Sequence, residues 1–138
     1  LLTMNQHPLH FDEEYAKNSE FKRPLVNSCL TLSIVAGMSV SDVSQKTVAN
    51  LGWDKVSMPN PVFNGDTLYA ESEVLAVRES KSRPNYGIVT VRTIGKKSTG
   101  EVAIKFERTL QASSASTAST RAASTADARA AGGDDEDA

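Results

Sequence analysis

The sequence predicts an α+β domain, and three observations predict it. From Leu25 to about Val40 the apolar residues cover nearly the whole circumference of a helix. From Val48 onward the pattern changes to period two, in segments separated by turn signals such as Asn64-Gly65-Asp66. A helical N-terminal part followed by a meander of alternating segments puts helices and an antiparallel sheet in separate layers.

The elements follow in order. Thr3 to Asp12 holds both histidines of the chain, His7 and His10, with Pro8 stiffening the backbone between them. Asp12 can cap a short helix over Phe11 to Asn18, with Glu13 and Glu14 at its positive end and Phe11, Tyr15 and Ala16 inward. Phe21-Lys22-Arg23-Pro24 is a connector whose proline can open the next helix. That helix is expected to be buried on all sides, with Cys29 as a small core residue. Ser39 to Thr47 reads as a turn with a ragged helix end. Val48 to Val56 is a strand with a bulge at Gly52, broken by Pro59-Asn60-Pro61. Thr67 to Arg78 is a long strand with Leu68, Ala70, Val74 and Ala76 on one side. Glu79 to Gly87 is a hairpin connection, Ile88 to Ile94 a strand, Gly95 to Gly100 a turn, and Glu101 to Leu110 a last strand.

The totals bound the possibilities. A chain of 138 residues suits one domain, expected over residues 1–111. Residues 112–138 are Ala, Ser, Thr, Gly, Arg and acidic residues, without aromatic or large aliphatic side chains, so a disordered low-complexity tail is expected there. That tail carries a charge balance of −3 and the remainder about +1. Such weak charge argues against a nucleic-acid partner. No apolar run is long enough for a bilayer, and no secretory signal is visible. The single Cys29 rules out an internal disulfide and fits a cytoplasmic location. The first residue is not methionine, so the N-terminal part of the fold is expected to be truncated.

Three segments carry a family resemblance: Asn5-Gln6-His7-Pro8-Leu9-His10-Phe11-Asp12, Phe21-Lys22-Arg23-Pro24-Leu25-Val26-Asn27-Ser28, and Pro61-Val62-Phe63-Asn64-Gly65-Asp66-Thr67-Leu68. In this order over one domain, they resemble the MaoC-like acyl-CoA dehydratase family. Val48 to Trp53 and Arg78 to Pro84 are most similar to its mesaconyl-, itaconyl- and methylmalyl-CoA hydratase-like members. The resemblance implies a hot-dog fold, an antiparallel sheet wrapped around a central helix. It also implies an enoyl-CoA hydratase or 3-hydroxyacyl-CoA dehydratase acting on a short, branched or dicarboxylic acyl-CoA. The implied partners are the acyl-CoA substrate and a second copy, as homodimer or higher homo-oligomer, with no cofactor and no membrane.

Carried over residue by residue, the motif histidine is His10. The motif aspartate falls on Asn5 and the motif asparagine on His7, both departures from the family pattern. The family's His-Gly at the start of the central helix falls on Asn27-Ser28, so the Ser28 amide would meet the thioester oxygen. Ser28 also reads as a plain N-cap, and Asn5 as a turn-former. Hydration of a conjugated thioester needs a base for water, a donor for the α-carbon and a site for the enolate oxygen. An imidazole takes and gives protons near neutral pH, which suits His10. Asn5 cannot take a proton but can hold the water. Arg78, Lys81 and Arg83 cluster on a hairpin, either as a solvated turn or as contacts for coenzyme A phosphates. His7, His10 and Asp12 do not have the spacing of a helical metal-ligand set, so no metal is expected. Tyr15 and Phe21 read as packing residues that could also line an acyl tunnel.

Two other functions fit the same resemblance. A hot-dog thioesterase would want a carboxylate on or near the central helix, and Leu25 to Val40 has none. A non-catalytic acyl-CoA-binding module draws support from Asn5 in place of the aspartate.

Overall fold

The computed structural model describes residues 2–113. A 3-10 turn, Pro8–His10, leads into helix α1, Glu13–Lys17, and then into helix α2, Ser28–Met38. A π turn, Val40–Ser44, follows α2. Four strands complete the fold: β1 Thr47–Ser57, β2 Leu68–Glu79, β3 Tyr86–Lys97 and β4 Val102–Ser113. They form one antiparallel sheet in the order β1-β4-β3-β2, so β1 and β2 are its edges.

The start of α1 is as expected, but α2 begins at Ser28, three residues past the expected start at Leu25, and its N-cap is Asn27 and not Ser28. The Asp12 carboxylate accepts from the Tyr15 N–H at 3.0 Å and caps α1. Asn27 Oδ1 accepts from Cys29 N–H at 2.9 Å and Leu30 N–H at 3.3 Å, which caps α2. Helix α2 lies on the inner face of the sheet through Val35, which packs with Ile104 and Phe106 and is flanked by Leu32, Ala36, Leu68 and Ala70. A second cluster, Val89, Val91 and Leu110, is covered by Val43 of the π turn. Burying each such side chain contributes roughly 1.5–3 kcal/mol.

Several expectations need correction. Helix α2 is not buried all round: Thr31 and Val35 are enclosed, but Ile34 and Met38 remain 42% and 40% exposed. Cys29 is exposed and is no core residue. Of the three residues expected to face inward near α1, Ala16 does so, while Phe11 and Tyr15 are exposed. The bulge expected in β1 is present between Asn50 and Gly52. A second one, between Val74 and Ala76, hands the inner face of β2 to Val77 and leaves Ala76 exposed. Gly95 belongs to β3 and not to a turn. A Cβ there would stand 2.7 Å from Val35 Cγ2, so the glycine lets helix and sheet approach. The turn itself ends at Gly100, whose φ of 89° is left-handed. Ala112 and Ser113, expected to begin the tail, are the last residues of β4, and Ala112 is buried. The rest of the expected tail lies outside the described residues.

On the other face of the sheet Glu107 accepts from Lys55 Nζ at 3.2 Å and Arg92 Nη2 at 3.0 Å. These two cations, Lys55 first, hold its carboxyl below the usual carboxylate range. Arg108, on the inner face, is only 4% exposed. Its Nη2 donates to Ser39 Oγ at 2.6 Å, and its guanidinium lies 5.4 Å from the Trp53 ring centre and 5.7 Å from that of Phe106. Burial pushes its pKa down from the ordinary arginine value.

Candidate active site

Backbone hydrogen bonds bring together the three segments that carry the resemblance. Leu25 N–H donates to Leu9 O at 3.1 Å, and Val26 N–H to Val62 O at 2.9 Å. Leu25 also forms an isolated antiparallel bridge with Phe63. The Pro61–Leu68 turn is closed by Phe63 N–H on Asp66 Oδ2 at 3.0 Å and by the left-handed Gly65, φ 93°. Arg23 stacks its guanidinium 3.9 Å from the Phe63 ring centre, and Phe21 packs on the same ring.

His10 is held within this junction. Its Nδ1 lies 2.8 Å from the carbonyl oxygen of Leu25. A carbonyl can only accept, so Nδ1 carries the hydrogen, which in the neutral imidazole leaves the lone pair on Nε2. The Pro8–His10 turn sets the direction of the ring. His7 N-caps that turn, its Nδ1 accepting from Leu9 N–H at 3.2 Å. The rings of His7 and His10 meet edge to face at 6.0 Å, and Tyr15 packs on the other side of His7 at 5.8 Å. Asn5 Oδ1 accepts from His7 N–H at 2.9 Å, the turn-forming role that its sequence also suggests. Its Nδ2 makes no hydrogen bond among the described residues.

Beside this junction is a cavity of about 300 Å³, lined among others by Phe21, Leu25, Ser28, Thr31, Met58 and Val62. Ser28 is the first residue of α2. Asn27 satisfies the next amides with its side chain, while the Ser28 N–H has no partner among the described residues. A free amide at the positive end of an eleven-residue helix can hold a developing oxyanion. Asn27 itself is the cap, and its side-chain oxygen is used on the helix. Phe21 lines the cavity, whereas Tyr15 stands against His7.

Arg78, Lys81 and Arg83 come together elsewhere, around a groove of about 520 Å³ that Gln111 also lines. The first cavity touches Ala103 and this groove touches Gln111. The two residues stand eight positions apart on β4, roughly 26 Å at about 3.3 Å per residue. One chain therefore does not bring its basic hairpin to its own His10. Among the described residues no three His, Cys, Asp or Glu side chains gather as a metal site, and no helix is long and apolar enough to cross a membrane.

Sequence reasoning missed two features. Nothing in a sequence marks the Leu25 carbonyl as the partner of His10. Arg108 did leave a signal, because it continues the parity of Val102, Ile104 and Phe106 and so had to face inward.

A family model described as mesaconyl-CoA hydratase matches residues 2–138. The mesaconyl-CoA hydratase of Haloarcula marismortui is 36% identical over 108 residues, which cover 78% of this chain and 30% of that protein. The chain thus spans about a third of the length of the mesaconyl-CoA hydratases it matches. The MaoC-like dehydratase structure from Rhodospirillum rubrum superposes with a TM-score of 0.71 at 31% identity, covering 80% of this chain and 76% of that one. A Mycobacterium tuberculosis protein with a double hot-dog fold superposes at a TM-score of 0.70 and 23% identity, over 79% of this chain and 34% of that one. The sheet and helix described above are thus a hot-dog fold.

Proposed function

The chain belongs to the mesaconyl-CoA hydratase family of MaoC-like hot-dog proteins, and on that premise we propose that it adds water to, or removes it from, a short acyl-CoA thioester. The substrate we favour is branched or dicarboxylic, after the name of the matched family. The observation that carries the reading is the hydrogen bond from His10 Nδ1 to the Leu25 carbonyl, beside a cavity lined by Ser28, whose amide has no partner among the described residues.

In this reading His10 Nε2 takes a proton from water as the oxygen attacks the β-carbon of the enoyl thioester. The C=C electron pair moves toward the thioester oxygen, and the Ser28 N–H holds the resulting enolate. The imidazolium then returns its proton to the α-carbon, so one molecule of water is added and the residue is regenerated. Asn5, through its amide nitrogen, holds the water and moves no proton. No metal or other cofactor takes part.

A second copy belongs to the proposal. β1 is an eleven-residue edge strand whose Val48, Leu51, Trp53 and Val56 are exposed. An edge of this length with four exposed apolar side chains invites another strand despite Asp54 and Lys55, and we assign it to a homodimer.

The test follows loss of enoyl-thioester absorbance over a panel of short enoyl-CoAs, with free thiol release measured in parallel. Hydration that vanishes in His10→Ala supports the reading. Thiol release without hydration would make the chain a thioesterase. Binding of acyl-CoA with neither reaction would make it a binding module, which Asn5 in place of the family aspartate favours.

A further inference from the structure

Three hydrogen bonds run in series from one histidine of the chain to the other. Leu9 N–H donates to His7 Nδ1 at 3.2 Å. Leu25 N–H donates to Leu9 O at 3.1 Å, and His10 Nδ1 donates to Leu25 O at 2.8 Å. His7 thus positions Leu9, Leu9 positions Leu25, and Leu25 positions His10. Two further contacts tie the histidines directly. Their rings meet edge to face at 6.0 Å, and His10 N–H donates to His7 O at 3.1 Å. The chemistry proposed above uses His10 and gives His7 no part.

The series holds only while His7 is neutral. A backbone N–H can only donate, so Nδ1 offers its lone pair to Leu9 and the ring hydrogen sits on Nε2. A proton on Nδ1 turns that acceptor into a donor and sets two N–H groups against each other. The Pro8–His10 turn then loses its side-chain cap, and a positive charge stands beside the His10 ring. His7 is exposed, so protons reach it. The titratable groups that touch its ring are His10 and, on α1, Tyr15. Asp12 uses Oδ1 on the Tyr15 N–H, and Glu14 pairs with Lys17. Arg23, on the connector that leads to Leu25, lies over the Phe63 ring. No carboxylate among the described residues, Glu13 included, comes within ion-pair distance of His7.

We propose that His7 is a positioning residue for the hydration chemistry: its neutral ring holds His10 in the working orientation, and its protonation releases that hold. The proposal rests on the hydratase reading above. It gives the site a second acid-sensitive group besides His10, which must itself be neutral to take a proton from water. The position is the one where the family motif has asparagine, and an amide oxygen accepts the Leu9 N–H without titrating. Histidine therefore makes pH-dependent a cap that asparagine would make permanent. Loss of the ring is milder than its protonation. An alanine leaves the Leu9 N–H to water, whereas the charged ring drives a donor against it.

The test compares wild type with His7→Asn in hydration of crotonyl-CoA between about pH 5 and 8, where imidazoles titrate. On the acid side, log kcat/KM of wild type should fall more steeply than that of His7→Asn by about one unit of slope, since two histidines titrate in one enzyme and one in the other. Ionisation of the coenzyme A substrate is common to both and cancels in the comparison. Equal acid slopes, with hydration intact, would overturn the proposal and leave the hydratase reading standing. A folded but inactive His7→Asn would overturn it too, because an amide oxygen caps the turn as well as the ring does. A second measurement needs no turnover and decides where wild type hydrates nothing or His7→Asn does not fold. His10→Ala leaves His7 as the one histidine of the chain. In its NMR spectra the amide protons of Leu9 and Leu25 should shift in step with the His7 ring as pH falls. That outcome upholds the role of His7 even where the hydratase reading fails. A Leu25 amide that stays still while His7 titrates would show that the series transmits nothing, and would overturn the proposal.

Discussion

His10 Nδ1 stands 2.8 Å from the carbonyl oxygen of Leu25, a residue fifteen positions away whose own N–H is bonded to Leu9 O. The two bonds close a small loop of backbone and side chain. It fixes the ring orientation and, for the neutral imidazole, the tautomer with its lone pair on Nε2.

The first prediction follows from that bond. His10→Ala should lower kcat on an enoyl-CoA on the order of 10²–10⁴-fold, the range of a lost general acid–base group, with a normal circular dichroism spectrum. Asn5→Ala should cost less, since it removes an orienting group, and Asn5→Asp should keep activity. His7→Ala should be the mildest of the three. If His7→Ala were the severe change and His10→Ala tolerated, the motif assignment would be wrong.

Gly95 offers a test of how closely α2 approaches the sheet. An added Cβ would meet Val35 Cγ2 at 2.7 Å and Ile104 Cγ2 at 2.8 Å, in a region where Val35 and Ile104 are fully buried. Gly95→Ala should destabilise by about 1–3 kcal/mol, the usual cost of overpacking, read from chemical denaturation. Gly95→Ala combined with Val35→Ala should cost less than the sum of the two single changes. Strict additivity would mean that the contact is not the source of the loss.

Arg108 and Ser39 make a different point. The guanidinium is buried, and Ser39 Oγ is its hydrogen-bond acceptor on α2's side, while Arg108 Nε has no partner among the described residues. Ser39→Ala should destabilise by about 1–3 kcal/mol, because it leaves a buried charged donor unsatisfied. Arg108→Met removes donor and charge together and should cost less than Ser39→Ala. The reverse order in thermal melts would assign Arg108 a stabilising role beyond this one bond.

Glu107 predicts a pH effect. Lys55 and Arg92 lower its folded pKa relative to the unfolded chain. Because the folded value is the lower one, its contribution is complete above the ordinary glutamate range and is lost as pH falls through the folded value. Glu107→Gln should therefore flatten the acid side of the stability–pH curve and leave the shape above neutrality unchanged. An unaltered acid limb would show that the pair contributes nothing measurable.

The elements were legible where one local rule acted alone. Asp12 and Asn64-Gly65-Asp66 were read correctly because a cap or a turn needs only its own residues. The bulge at Gly52 was read for the same reason. An apolar circumference does not by itself mean burial: on α2, Ile34 and Met38 face outward. Gly95 reads as a turn residue because a sequence does not show that Val35 will press on it. In the candidate site, the motif nominates His10 and Ser28. The atoms that orient them, the Leu25 carbonyl and the Asn27 cap, arise only from folding. The basic trio was seen as a cluster, but its separation from His10 along β4 needed the sheet register.

The same exposed residues yield the last prediction. β1 presents one unpaired row of backbone donors and acceptors, with Val48 and Val56 exposed near its two ends. An edge of this kind is blunted by charge or covered by another strand; Asp54 and Lys55 put charge only near its middle, while Val48 and Val56 leave both ends apolar. We therefore expect a dimer by light scattering. Val48→Lys and Val56→Lys together put like charges across the seam, because each Val48 lies near the partner's Val56 in a full-length antiparallel pairing. The double variant should shift the protein to monomer. Neither side chain is buried, so the fold of each copy should survive, as the far-ultraviolet spectrum will report. A double variant that remains dimeric would place the interface elsewhere.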